Sequence, residues 1–150
     1  MKKQIFLSIA LVLVLVGCKK EASTPNAITE NSANVKPVAQ CFRYDANGSL
    51  IELELHYTDS TAIGMLNYAL AEKDSNMGSF KGTFENNILI ADYKFQSEAE
   101  ETTRQVAFKL IDDKLVEGYG DLTEDGTHFK DVTQLQFDSK MPLSKVDCKK

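Results

Sequence analysis

From residue 50 onward the chain alternates apolar and polar positions with a period of two. Ile51, Leu53, Leu55 and Tyr57 fall on one side of an extended backbone and Glu52, Glu54 and His56 on the other, as in a half-buried strand. Gly64, Leu66, Tyr68 and Leu70 continue the pattern, and Phe80, Gly82 and Phe84 alternate with Lys81, Thr83 and Glu85. Leu89, Ala91, Tyr93 and Phe95 then alternate with Asp92, Lys94 and Gln96, and Val106, Phe108 and Leu110 make a further inner face. Residues 115–122 read as one more strand, and Leu135 with Phe137 closes the series. Asn47-Gly48, residues 74–76, Asn86-Asn87, Asp112-Asp113 and Asp125-Gly126 supply the turns, with a charged loop over residues 97–101. No window carries a run at helical spacing, and residues 131–136 have room for a single turn. The fold class is all-β: an antiparallel meander of about seven to eight strands that forms a small barrel or a sandwich. Gly118 and Gly120, alternating within one strand, mark a barrel corner or a close approach to the backbone.

The start of the chain follows a different pattern. Lys2 and Lys3 precede an apolar stretch over residues 5–16, broken only by Ser8. That length suits a secretory signal and is too short for a membrane span of about 20 residues. It ends in Leu15-Val16-Gly17-Cys18, which resembles the lipobox of bacterial lipoproteins. The resemblance implies cleavage before Cys18, lipidation of that cysteine and attachment to a membrane. Two or more acyl chains meet the requirement for stable anchoring. Lys19 rather than Asp follows the cysteine, which by resemblance to the sorting rule of Gram-negative lipoproteins points to the outer membrane. Whether the domain faces the periplasm or the outside stays open. The expected organisation is a signal peptide over residues 1–17, a lipidated Cys18 with a flexible tether to residue 40, and a β domain over residues 41–150. The tether is Ser, Thr, Asn, Ala and Pro with hardly a large apolar residue, too little to offset the entropy of ordering.

Two of the three cysteines remain, Cys41 and Cys148, at the two ends of the β domain. In an oxidising envelope they form a disulfide; the alternative is two independent thiols. Neither lies in a C-x-x-C motif, so a redox relay has no support. Loss of residues 1–17 removes Lys2 and Lys3 and no acid, taking the formal charge from −5 to about −7. An acidic domain repels nucleic-acid backbones, so nucleic acid is excluded as a partner.

Chemistry-bearing positions are sparse. His56 and His128, the two histidines, read as solvated surface residues with no zinc-ligand spacing, and no metal or cofactor is expected. No nucleophile elbow, H-E-x-x-H or phosphate loop is present, so no catalytic residue is assigned. Residues 121–126 superficially suggest a calcium loop but lack alternating ligands and the distal glutamate, leaving an acidic hairpin. Asp92 and Glu117 each interrupt a strand beside a tyrosine, Tyr93 and Tyr119. With Arg104 they would make a polar cluster, or a hydrolytic carboxylate pair, if all faced one interior. Alternation instead puts Asp92 on the outer face. Candidate interaction residues are Asp74, Asn76, Glu98 and Arg104, in loops read over residues 74–78 and 97–104.

The ordered series Tyr68-Ala-Leu-Ala-Glu72, Asn76-Met-Gly78, Ala91-Asp-Tyr-Lys-Phe95, Ser97-Glu98, Arg104-Gln-Val-Ala-Phe108 and Glu117-Gly-Tyr-Gly120 resembles a group of small bacterial lipoproteins with flanking domain cysteines. Where that group often has Gly after Ser-Glu, this chain has Ala99. The resemblance implies lipidation and an extracytoplasmic β domain, and it carries no activity. The expected function is a membrane-anchored, non-enzymatic envelope module that binds a protein or envelope component. The alternative is a lipocalin-like barrel carrying a small apolar ligand, although the absence of Trp precludes the G-x-W signature of lipocalins.

Overall fold

Eight antiparallel strands realise the alternation: β1 (Val38–Ala46), β2 (Ser49–Thr58), β3 (Thr61–Ala69), β4 (Asn76–Glu85), β5 (Ile88–Ser97), β6 (Glu100–Ile111), β7 (Lys114–Glu117) and β8 (Leu143–Val146). The structure is a computed structural model that describes residues 37–97 and 100–148. The expected signal peptide, Cys18, residues 19–36 of the expected tether and Glu98 lie outside the described residues. Each strand pairs with the next, and β8 pairs with β1, so the meander closes into a barrel rather than a sandwich. β1 pairs from Val38↔Tyr57 onward, which brings residues 38–40, expected in the tether, into the sheet.

The tight turns are chemically specified. Asn47-Gly48, Asn86-Asn87 and Asp112-Asp113 all have positive φ at both central residues, as the right-handed twist of a hairpin requires. Asn, Asp and Gly tolerate that backbone better than other residues. The Asn47-Gly48 turn, residues 70–75 and the β7–β8 connection lie at one rim of the barrel, here the upper rim. The turns at Asp59, Asn86-Asn87 and Asp112-Asp113 lie at the lower rim.

The inward positions are those the period of two selects. Phe42, Ile51, Leu53, Leu55, Leu66, Phe80, Leu89, Phe108, Leu115 and Leu143 are buried and pack into one cluster along the barrel interior. Each contributes on the order of 1.5–3 kcal/mol through burial of its apolar surface. Closure also needs inward positions without side chains. A Cβ on Gly64 would stand 2.5 Å from Cζ of Phe80, its partner across β3 and β4, so glycine there lets that ring lie flat in the core.

The end of the chain departs from the expected strands. β7 stops at Glu117 instead of running to residue 122, and the closing strand is β8 rather than the segment holding Leu135 and Phe137. Those two side chains lie over Gly120 and Gly118 instead: a Cβ on Gly118 would stand 2.6 Å from the Phe137 ring. The close approach is therefore by the chain's own connector. Residues 118–142 form a connector held by a Tyr119↔Gln136 bridge and bonded to β6 through Gly118 N to Ala107 O and Gln105 N to Thr127 O, and outward-facing Ala107 of β6 is fully buried. Asp125-Gly126 does turn a short hairpin closed by Leu122↔Phe129. Residues 131–136 hold one 3-10 turn, Val132–Gln134, with Asp131 as its cap.

Cys41 and Cys148 form the disulfide, with Cα atoms 5.2 Å apart. The bridge fastens the tail beyond β8 to β1, where the barrel closes. It staples a seam in which β8 makes only three pairings with β1 and two with β7.

Candidate functional site

Polar chemistry collects in the upper layer of the barrel. Arg104 is inward on β6, in phase with Val106 and Phe108, and stands directly across from Tyr93 of β5. Its guanidinium lies 5.4 Å from the Tyr68 ring centroid, 5.5 Å from that of Phe95 and 5.9 Å from that of Tyr93. These ring faces attract the cation but offer it no lone pair. Nε of Arg104 is closed off from solvent and has no hydrogen-bond partner among the described residues.

Beside it, Glu117 ends β7 on the inner face and is only 9% exposed. The Tyr68 hydroxyl donates to its Oε1 across the barrel at 2.6 Å, and the Tyr119 hydroxyl donates to its Oε2 at 3.0 Å. Burial pushes the Glu117 carboxyl above the usual range, while the two phenol donors and the nearby Arg104 pull the other way. Burial, reinforced by Glu117, also raises the Tyr68 hydroxyl well above its ordinary value. Tyr93 is pushed up to about 12, chiefly by burial, with Arg104 opposing. Its hydroxyl donates to the backbone oxygens of Leu66 and Asn76, each at 3.0 Å, and so ties β4 to β3 at the upper rim.

β6 continues upward past the point where β7 leaves it, and the connector only partly fills that place. Gln105 N donates to Thr127 O at 2.6 Å and its side chain accepts from Phe129 N at 3.1 Å, which pins the connector hairpin to the wall. Between them an open recess of about 230 Å³ reaches Arg104 and Glu117, walled by Val106, Tyr119, Leu122 and Phe129. A second, larger groove of about 390 Å³ lies on the outside of the barrel, between Met65, Met77 and Val146. Arg43, Glu52, Glu54, Asn67 and Asp147 line it as well, and there the Arg43 guanidinium is already paired, with Asp45 at 2.6 Å and Glu52 at 3.3 Å.

The residues singled out from the sequence separate accordingly. Arg104 is not in a loop but inside β6, because its register with Tyr93 places it in the barrel. Asn76 likewise opens β4, and Asp74 is exposed in the turn before it. Asp92 and Glu117 do not share an interior: Asp92 points outward, 56% exposed and 3.6 Å from His128, so no carboxylate pair forms. Tyr119, the tyrosine beside Glu117, is 46% exposed. His56 sits on the outer face, 2.7 Å from Glu54. Asp125 accepts from Thr123 and from both the backbone and side chain of Thr127, bonds that hold its carboxyl down at about 2.

No family model, curated protein or solved structure matches this chain. The site is therefore read from its own geometry. Tyr68 is the member sequence reasoning missed. Alternation puts it inside, but nothing local pairs it with a carboxylate 49 residues away.

Proposed function

We propose that this chain is a lipid-anchored envelope lipoprotein whose barrel is a non-enzymatic binding module working through its upper rim. The observation that carries this reading is the division of the barrel along its axis. The lower and middle layers are filled by apolar side chains, and the upper layer holds Arg104, Glu117 and three tyrosines beneath an open recess. A half-buried guanidinium without an acceptor among the described residues and a buried carboxylate add little to stability for their own sake. Their presence at an open rim fits recognition better than architecture. Asp74 in the 70–75 turn stands at the same rim.

Anchoring rests on the lipobox-like Leu15-Val16-Gly17-Cys18, and the Cys41–Cys148 bridge suits an oxidising compartment. The outer membrane is the favoured location, from Lys19. The lipocalin-like alternative draws on the closed eight-stranded barrel. Against it, the interior such a carrier would need for cargo is occupied by Phe42, Leu53, Leu66, Phe80 and Phe108.

The reading is tested by placing a photo-crosslinking residue at Asp74 on the upper rim, and separately at Asp113 on the lower rim, of the full chain in its own envelope. An adduct of any mass formed from Asp74 and not from Asp113 is the expected result. Adducts from both positions alike, or from neither, would remove the upper rim as the binding surface. Acylation of Cys18, read from the mass of the N-terminal peptide, checks the anchor.

A further inference from the structure

Arg104 and Glu117 carry opposite charges in one recess, yet Arg104 makes no hydrogen bond or ion pair among the described residues. Removing the Nε–H of Arg104 from water without an acceptor is costly, because the lost hydration is not replaced. The three surrounding rings offset part of that cost and hold the group in a fixed orientation. The two terminal amino groups, which are not closed off as Nε is, have no acceptor among the described residues, and a carboxylate supplies two oxygens to that end of the arginine fork. Glu117 presents the complementary lack. Each of its oxygens takes one phenol donor, and a carboxylate has about four acceptor positions, so capacity remains for another donor.

A net anion in this recess would be repelled by Glu117, and a net cation by Arg104. A dipolar molecule satisfies both. The geometry points to this recess as a binding site for a small zwitterion of the α-amino-acid class, its carboxylate on Arg104 and its ammonium on Glu117. The volume of about 230 Å³ is below the usual range for drug-sized ligands and suits a molecule of this size. Val106, Leu122 and Phe129 offer an apolar wall to its side chain. The inference rests on the reading of the barrel as a binding module and names the ligand of its upper recess.

The closed barrel and its disulfide lie wholly within the described residues, so the chain lacking residues 1–17, with Cys18→Ser, retains the fold. L-Leucine is titrated into this oxidised protein by calorimetry and by NMR of the Arg104 Nε–H, with L-alanine and L-phenylalanine as size variants. N-Acetyl-L-leucine, which lacks the ammonium, and L-leucinamide, which lacks the carboxylate, serve as half-ligands. Saturable binding of at least one amino acid, a shift of the Nε–H resonance and at least a tenfold loss with both half-ligands are expected. Arg104→Met, checked for folding by its melting curve, and Glu117→Gln should each weaken binding at least tenfold. Should Arg104→Met fail to fold, the Nε–H shift in the unsubstituted protein decides alone. Absence of binding by all three amino acids overturns the inference, as does N-acetyl-L-leucine binding as tightly as leucine, which would indicate a simple anion site. Crosslinking from Asp74 with no amino-acid binding would leave the binding-module reading standing without this ligand. Leucine binding without upper-rim crosslinks would leave the ligand site and remove a rim-wide surface.

Discussion

Glu117 shows how one residue couples burial to pH. Its carboxyl is shielded from water and held by the hydroxyls of Tyr68 and Tyr119, with burial the larger influence, so its folded pKa lies above the unfolded one. Between those two values the folded state holds the extra proton, and stability falls as pH rises. The contribution is fully present below the ordinary glutamate range and is lost as pH rises through the raised value. Each unit of displacement corresponds to about 1.4 kcal/mol. Glu117→Gln does not titrate. The stability of the natural protein minus that of Glu117→Gln should therefore decline with rising pH just above the ordinary carboxylate range and be flat on either side. Urea unfolding from pH 4 to pH 8 measures this. A flat difference across the range would mean that the carboxyl is better solvated than its 9% exposure implies.

At the scale of elements, glycine placement shapes both the barrel and its connector. Gly64 faces inward opposite Phe80, and any added methyl meets that ring and the β2 backbone behind it. Gly64→Ala should cost about 1–3 kcal/mol through overpacking, with Ser79→Ala, exposed on the outer face of β4, costing much less. Urea unfolding of the two variants checks this, and equal costs would show that the sheet can shift to make room. Gly118 and Gly120 act on the connector. With no side chains they let Phe137 and Leu135 cross over them, which is why β7 ends early and the wall beside upper β6 is left incomplete. The same departure opens the recess above Glu117.

At the scale of the whole molecule, the barrel is a long meander closed by a short seam. β8 spans four residues, and the Cys41–Cys148 bridge joins positions 107 apart beside it. In the chain-entropy description a loop of that length contributes about 4–5 kcal/mol by restricting the unfolded chain. Replacing both cysteines by serine should lower unfolding free energy by about that amount and release amide protection in β8 before β2 to β6. Hydrogen exchange with urea unfolding tests both, and unchanged protection in β8 would place the seam's stability in its strand pairing. Much of this architecture was legible beforehand. The strands from β2 to β6, their inward faces and the turns at Asn47-Gly48, Asn86-Asn87 and Asp112-Asp113 are properties of neighbouring residues, so a period of two and the chemistry of positive φ disclose them. The outward placement of Asp92 was readable for the same reason. Closure was not. Leu143–Val146 shows no clear alternation, while Leu135 and Phe137 do, and only the space above Gly118 and Gly120 decided which segment completes the barrel. The site was half legible: Glu117 stood out as a charge interrupting a strand and Arg104 as its partner if both faced one interior, but Arg104 was read in a loop and the hydrogen bond from Tyr68 joins residues 49 apart. Sequence period fixes the side of the sheet on which a residue lies. Only the curvature that closes the sheet decides which residues meet across the interior.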